Sequence, residues 1–422
     1  MAGLRYPLAG LLLGVGLHAG AADFEFDVGA YDKRPWQISG YLSWTGEQQT
    51  LDSSAALYTL NFGSTGLETN NRQLLDAELS GQYNWTHTGL YFTLHGNNTA
   101  DARSDTTTLR TLEGYVAHQA SPQIRYELGK RTLKWGKGYA WNPVGFVERP
   151  KDPLDPDLSR EGYVLADADY VKSGGGSLRT WGVNAVVLPV DAQTNTEFGN
   201  ADTYLAAKLY LLYLDNDIDL VVMDGAATEP RIGADISRNL SSNFEVHAEW
   251  SRSQGVSRSL LQPDLSLATE TLDAEAWLLG LRYLTDSNLT AILEFYHNGA
   301  GYSPEQMQAF YTAVAGATTA GELADLRSAA SAGYGSAYAM QNYLYLRLIQ
   351  KEPFDLIHWT PALTLIRNLG DGSYNAGAEL VYSGVDNLEL RLRLNLPTGQ
   401  TLSEFGEKPS DQRLELRLRY FF

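Results

Sequence analysis

The last ten residues decide the fold: Arg413-Leu414-Glu415-Leu416-Arg417-Leu418-Arg419-Tyr420-Phe421-Phe422. Leu414, Leu416, Leu418, Tyr420 and Phe422 fall on one side of an extended chain. Arg413, Glu415, Arg417 and Arg419 fall on the other. Successive side chains of a strand point to opposite faces, so this is a strand with one apolar and one charged face. The preceding segment repeats the design. Leu388, Leu390, Leu392, Leu394 and Leu396 oppose Asn387, Glu389, Arg391, Arg393 and Asn395.

The alternation continues toward the N-terminus. Phe244, Val246, Ala248 and Trp250 oppose Glu245, His247 and Glu249. Leu75, Ala77 and Leu79 oppose Asp76 and Glu78; Leu289, Ala291, Leu293 and Phe295 oppose Thr290, Glu294 and Tyr296; Tyr374, Ala376, Ala378 and Leu380 oppose Asn375 and Glu379. Segments of about ten residues, apolar on one face and polar on the other, are the signature of a transmembrane barrel with a wet interior. Trp36, Trp44, Trp85, Trp135, Trp181 and Trp250 stand near segment ends, as aromatic girdles at the membrane interfaces require.

The connections alternate in length. Short turns are read at 86–89, 120–123, 172–176, 215–217, 240–243, 285–288, 351–354 and 385–387. Longer connections are read at 50–72, 96–105, 134–162, 190–201, 224–230, 253–271, 298–335, 368–373 and 397–411. Tight turns on one rim and long loops on the other are the habit of bacterial outer-membrane barrels, and not of sandwiches or propellers. The expected fold is all-β: an outer-membrane antiparallel β-barrel of about 18 strands, with 16 as the alternative if 50–72 and 224–230 are misread. An even count puts both termini on the periplasmic side.

The ends of the chain agree. Arg5, an apolar run over 8–17 and Ala19-Gly20-Ala21 have the order of a cleaved secretory signal, with the mature chain starting near Ala22 or Asp23. The run is too short for a membrane-spanning helix, which needs about 20 residues. Residues 1–21 are therefore read as signal peptide and 22–422 as a single barrel domain. Tyr420 and Phe422 resemble the terminal signal by which the barrel-assembly machinery reads outer-membrane proteins. The expected location is the outer membrane of a Gram-negative cell, in contact with lipid and lipopolysaccharide.

Composition bounds the chemistry. Of 422 residues, 50 are acidic and 32 basic, giving a net charge of −18, which argues against a nucleic-acid partner. The absence of cysteine excludes disulfides, thiolate metal sites and a thiol nucleophile. His87, His95, His118, His247, His297 and His358 stand in no local motif with Ser and Asp, so no catalytic residue is assigned and an enzyme is not expected. No cofactor or metal is expected. Asp152, Asp155 and Asp157 are interrupted by Lys151 and prolines and fit no calcium loop. Strands start near residue 35, which leaves no room for the plug of a large energy-coupled transporter.

Three features carry functional expectations. The third long connection, 134–162, holds Pro143, Pro150, Pro153 and Pro156, which forbid regular structure, together with Trp135, Tyr139, Trp141 and Phe146. So much aromatic surface calls for shelter. A constriction loop folded into the pore is expected, with Lys137, Glu148, Arg149 and Lys151 toward the wall; the alternative is a cap on the outer rim. Second, 298–335 begins with Ser303-Pro304-Glu305-Gln306, a helix start with Ser as N-cap, Pro at N1 and Gln at N3. Met307, Phe310, Tyr311 and Val314 recur at helical spacing, and 322–330 reads as a second short helix: a helical hairpin over the outer mouth. Third, Arg391, Arg393, Arg413, Arg417 and Arg419 point inward beside Glu389 and Glu415. They form either a basic ladder for anions or, with Glu389 opposite Arg417 and Glu415 opposite Arg391, a lattice of cross-strand ion pairs.

Gly129-Lys130-Arg131-Thr132-Leu133-Lys134-Trp135-Gly136, followed by Asn142-Pro143, resembles a motif of proteobacterial outer-membrane porin-like barrels of unknown function, a family linked with lipid or hydrophobic export. Alginate-export and porin families share its first half less closely. The resemblance spans about 40 residues. It implies outer-membrane location and the handling of a solute, and it transfers no binding residue. The functional expectation is a channel for passive passage of small or moderately hydrophobic solutes. The alternative is a non-conducting barrel acting as a scaffold or receptor with a periplasmic or cell-surface partner. The number of subunits is left open.

Overall fold

The computed structural model describes residues 34–422 apart from 157, 200–201 and 226–227; the leader read at 1–21 lies outside the described residues. Eighteen strands run in chain order: β1 (Trp36–Leu51), β2 (Thr69–Asn84), β3 (Thr88–Ala100), β4 (Asp105–Ser121), β5 (Ile124–Arg131), β6 (Tyr163–Gly175), β7 (Leu178–Val190), β8 (Asp202–Tyr213), β9 (Asn216–Gly225), β10 (Thr228–Ser241), β11 (Phe244–Leu261), β12 (Leu267–Leu284), β13 (Leu289–Asn298), β14 (Asn342–Gln350), β15 (Trp359–Asn368), β16 (Tyr374–Val385), β17 (Leu388–Thr398) and β18 (Ser410–Phe421). Each pairs antiparallel with its neighbours in sequence, and β18 pairs with β1. The seam closes with Gly40 and Phe422 each donating its N–H to the other's carbonyl at 3.0 Å. Among the described residues no edge strand remains, as a sheet facing hydrocarbon requires. The count is 18, not 16.

The apolar faces point outward. Leu75, Leu392, Leu416 and Leu418 are exposed, while Glu249, Glu294, Arg391 and Arg393 are buried inside. Outward aromatic pairs mark the turn rim: Tyr83–Trp85 (4.8 Å), Tyr170–Trp181 (5.3 Å), Phe244–Tyr283 (6.0 Å) and Trp359–Tyr382 (4.7 Å between ring centres). Three girdle assignments need correction. Trp44 lies mid-strand, opposite Leu75 and Leu418, Trp250 lies within β11, opposite Ala234 and Trp277, and Trp135 is buried within the barrel.

Some long connections proved to be strand. The reading at 96–105 shrinks to 101–104, and that at 253–271 to 262–266. Asn97, Asn98 and Thr99 looked like loop because they are polar. Ladder hydrogen bonds use the backbone, and above the apolar band nothing demands greasy side chains. The turn at 351–354 is longer than read, extending over 351–358.

Among the described residues the α-helices lie in the loop-rim connections, and the turn rim carries one short 3-10 turn, Pro353–Asp355. The 52–68 stretch carries α1 (Ala56–Phe62), which the sequence reading did not foresee. The 299–341 connection carries α2 (Pro304–Gly316) and α3 (Ala320–Ala329). Both begin with complete capping boxes, Ser303/Gln306 and Thr319/Glu322. Met307, Phe310, Tyr311 and Val314 of α2 are buried with Leu57, Leu60, Leu326 and Phe405 in one cluster that reaches Trp141. The 399–409 connection is tied to this cluster by two buried carboxylates. Glu404 accepts from Ala339 N–H (3.0 Å), Tyr343 O–H (2.8 Å) and Asn368 (2.7 Å). Glu407 accepts from Ala56 and Leu402 N–H, both at 2.6 Å. Burial pushes the Glu404 carboxyl above its ordinary range, against these donors and Lys408.

Candidate pore and constriction

The β5–β6 connection, 132–162, turns into the barrel. Its prolines deny it a ladder of its own, so its backbone amides need acceptors, and the wall supplies them. Glu249 of β11 accepts from the N–H groups of Lys137 (2.5 Å), Gly138 (2.6 Å) and Val144 (3.3 Å). Glu294 of β13 accepts from those of Tyr139 (2.5 Å) and Ala140 (2.8 Å), and from His247 at 3.0 Å. This approach depends on glycine. Gly136 has φ +89°, and a Cβ there would stand 2.8 Å from Glu249 Oε1; at Gly138 it would stand 2.1 Å from the Trp141 carbonyl oxygen.

Side chains complete the docking. Trp141 stacks on Tyr296 (4.9 Å, 15°) with Tyr338, Tyr343 and Tyr345 around it at about 6 Å. Trp135, Val144, Phe146 and Val147 pack on Leu165, Val186, Leu188, Tyr204, Val221 and Met223, so this arc of the inner wall is apolar. Lys137 bonds Asp219 (3.0 Å) and lies 3.6 Å from Asp235. Burial alone would lower its pKa, but the two carboxylates hold it above the ordinary lysine value. Lys151 instead donates to the Gly138 carbonyl, and burial outweighs Glu148 and Glu249 to bring its pKa down.

On the far wall the arginines are paired. Arg391 meets Glu415 at 2.9 Å, Arg393 meets Glu379 at 2.6 Å and Arg417 meets Glu389 at 2.7 Å. The lattice exists, but its register differs from the expected one by two residues. Arg391 faces Arg417, Arg393 faces Glu415 and Glu389 faces Arg419, so the bonds of Arg391 and Arg417 run diagonally. Arg419 lies over the Tyr41 ring at 4.1 Å. Asp155 of the loop bridges Arg391 (2.8 Å) and Arg393 (3.3 Å). Burial opposes its charge, but the two guanidinium groups prevail and hold its carboxyl below the usual range.

Of the loop charges read as facing the wall, Lys137 forms ion-pair contacts with it and Arg149 lies over the Tyr163 ring of β6 at 4.8 Å. Glu148 pairs with Arg160 of the same loop, and Arg149 with Glu197 (2.5 Å) of the 191–201 connection. The sequence reading missed Asp155, Asp219 and Asp235 as loop anchors. Glu249 and Glu294 were legible as inward-facing, but nothing local named their backbone partners. Tyr420 and Phe422, read from the sequence as a terminal signal, are half-exposed on the outer face beside the β1–β18 seam.

The loop thus reaches from β5 and β6 across the lumen to β13 and β17. One cavity of about 400 Å³ lies on its loop-rim side, lined by Trp141, Phe146, Tyr163, Phe198 and Tyr296. A second of about 640 Å³ lies on the turn-rim side, lined by Trp135, Tyr139, Arg282 and Arg347. Glu148 and Lys151 line both.

A closed 18-stranded barrel with an apolar exterior and an inward-folded third loop is a porin-like barrel. Solved structures share this fold. OccK2 (OpdF) of Pseudomonas aeruginosa superposes with a TM-score of 0.53 at 10% identity, covering 92% of this chain and 97% of its own. OccAB1 of Acinetobacter baumannii gives 0.53 at 11%, covering 91% and 96%. OccK5 (OpdH) of P. aeruginosa gives 0.52 at 11%, covering 91% and 98%. Identity this low carries the fold and no residue roles. No protein-family model matches the chain, and no curated protein matches it in sequence.

Proposed function

We propose that this barrel resides in the outer membrane of a Gram-negative cell and passes small or moderately hydrophobic solutes, with 132–162 as its constriction. One observation carries the reading: the loop crosses the lumen and leaves a cavity on each side, with Glu148 and Lys151 common to both. A solute moving between the rims meets these two side chains at the narrowest section. The apolar arc of Leu165, Val186, Leu188 and Met223 against the charged arc of Arg391, Arg393 and Glu415 gives a solute one greasy and one polar flank. Lipid and lipopolysaccharide surround the barrel, and the barrel-assembly machinery reads Tyr420 and Phe422. No catalytic step enters this reading.

A second reading has its own support. The cluster of α1, α2, α3 and 399–409 reaches down to Trp141 and fits a sealed barrel acting as a receptor or scaffold. Single-channel recording from purified protein in a planar bilayer separates the two. Steady conductance that rises when 139–155 is replaced by a short Gly-Ser linker supports the channel. Silence before and after that replacement supports the sealed barrel.

A further inference from the structure

The barrel wall is incompletely laddered beside the loop-rim cavity. β4 pairs with β5 only from Gly114 to Ser121, leaving Asp105–Glu113 without a β5 partner. β6 pairs with β7 only from Ala166 onward, although β6 begins at Tyr163 and β7 runs to Val190. On the β4 side Gly162 N–H reaches the Leu112 carbonyl at 2.9 Å and Thr132 N–H reaches Glu113 at 2.9 Å, so the unladdered stretch faces β7. Above Ala166 one side chain replaces the missing rungs. Asn195, in the left-handed region at φ 51°, accepts from Val164 N–H (3.0 Å) and donates to the carbonyls of Val164 (2.8 Å) and Pro189 (2.7 Å).

The height of this seam matters. Six residues separate Val164 from Tyr170 of the turn-rim girdle. At about 3.3 Å per residue and a tilt near 40°, Val164 stands roughly 15 Å above it, inside the roughly 25 Å apolar band of such barrels. Just inside lie Tyr163 and Phe198, rings 5.0 Å apart, and both line the loop-rim cavity. Asn195 and Phe198 belong to the same short connection, so a movement that frees the latch also moves the cavity wall. Arg231 lines this cavity too. On the outer side Lys130, in register with Gly114 and Val164, is ion-paired with Glu161. A lysine facing plain hydrocarbon costs about 2–4 kcal/mol at mid-depth, so this strip of wall is built for something other than lipid tails alone.

We propose that the β6–β7 seam is a side port, latched by Asn195, through which the chain of an amphiphile passes between the loop-rim cavity and the outer leaflet. The rings of Tyr163, Phe198 and Phe146 take the chain, and Arg231 takes an anionic head. This rests on the solute-passage reading, but gives the solute a sideways exit instead of an axial one.

The chain has no cysteine, so single sites can be labelled. A bimane on Pro143→Cys reports from the loop inside the cavity. Vesicles of chain-brominated phospholipid supply a quencher confined to the bilayer, and iodide supplies an aqueous one. Asn195→Ala should raise quenching by brominated chains at least two-fold and leave iodide quenching unchanged. Ala166 and Val187 are register partners. A disulfide between Ala166→Cys and Val187→Cys, closed before the bimane is attached to the one remaining thiol at position 143, should suppress chain quenching until reduced, which tests the port even if Asn195→Ala fails to assemble. Chain quenching indifferent to both changes overturns the port. Conductance of the same preparations keeps the readings apart. Ion flow without chain access rejects the port and leaves the channel; chain access without ion flow does the reverse.

Discussion

Glu249 and Glu294 hold the constriction by its backbone, and that sets what each residue is worth. A carboxylate accepting two or three buried amides cannot be shortened without stranding them, at about 1–3 kcal/mol each. Glu249→Ala should therefore let the 136–144 segment move, read as noisy, stepping conductance in place of a steady level. Trp141→Ala removes the stacking partner of Tyr296 and should weaken loop docking by on the order of 3–5 kcal/mol, read as new protease cleavage within 139–155. Asp155 gives a pH test with a definite sign. Its folded-state pKa is depressed by Arg391 and Arg393. Its contribution is therefore complete above the ordinary carboxylate value near 4 and is lost as pH falls through the lower, folded-state value. Protease protection of the loop should hold from pH 7 down to about 4 and fail only in stronger acid, whereas Asp155→Asn should lose this component at every pH.

At the scale of elements, legibility followed periodicity. The faces of β17 and β18 were readable because lipid on one side and charge on the other force strict alternation, although their loop-rim ends extend two residues beyond the reading and their mutual register differs by two. The β7 run Val186-Val187-Leu188-Pro189-Val190 was less legible. Its inner face packs on Trp135, Val144 and Phe146, so both faces are apolar and the period disappears. The capping box of α2 was visible because it is local, while α1 has no side-chain cap and was missed. The loop's inward fold was inferable from aromatic surface that needed shelter. Its anchors were not, since Glu249 and Asp219 lie far along the chain from the amides and lysine they meet. Replacing Tyr139–Asp155 by a short linker follows from this geometry. It joins the two cavities and should raise single-channel conductance several-fold, because resistance concentrates at the narrowest section. It also frees Arg391 and Arg393 from Asp155, so selectivity should shift toward anions. Unchanged conductance in a correctly assembled deletion would reject the constriction.

The whole molecule is a closed circuit of hydrogen bonds, and it closes at one place. β18 must find β1 across nearly the whole chain, and Phe422 contributes the final reciprocal pair with Gly40. With no free edge, detergent has nowhere to begin unzipping the sheet. Unboiled protein should therefore run differently from boiled protein in a denaturing gel, and identical mobility would argue against a stable barrel. Removing Phe422 deletes those two bonds and one outward ring at the seam but touches nothing in the lumen. Once formed, the shortened barrel keeps the Tyr41–Phe421 to Leu51–Ser410 register. The loss should therefore appear in how much protein assembles, not in how the assembled protein behaves. The expected result is a several-fold drop in the heat-modifiable fraction recovered from outer membranes, with unaltered single-channel conductance in what remains. Normal recovery would reject the terminal residue as an assembly signal. Altered conductance would mean that the seam, and not the third loop alone, shapes the bore.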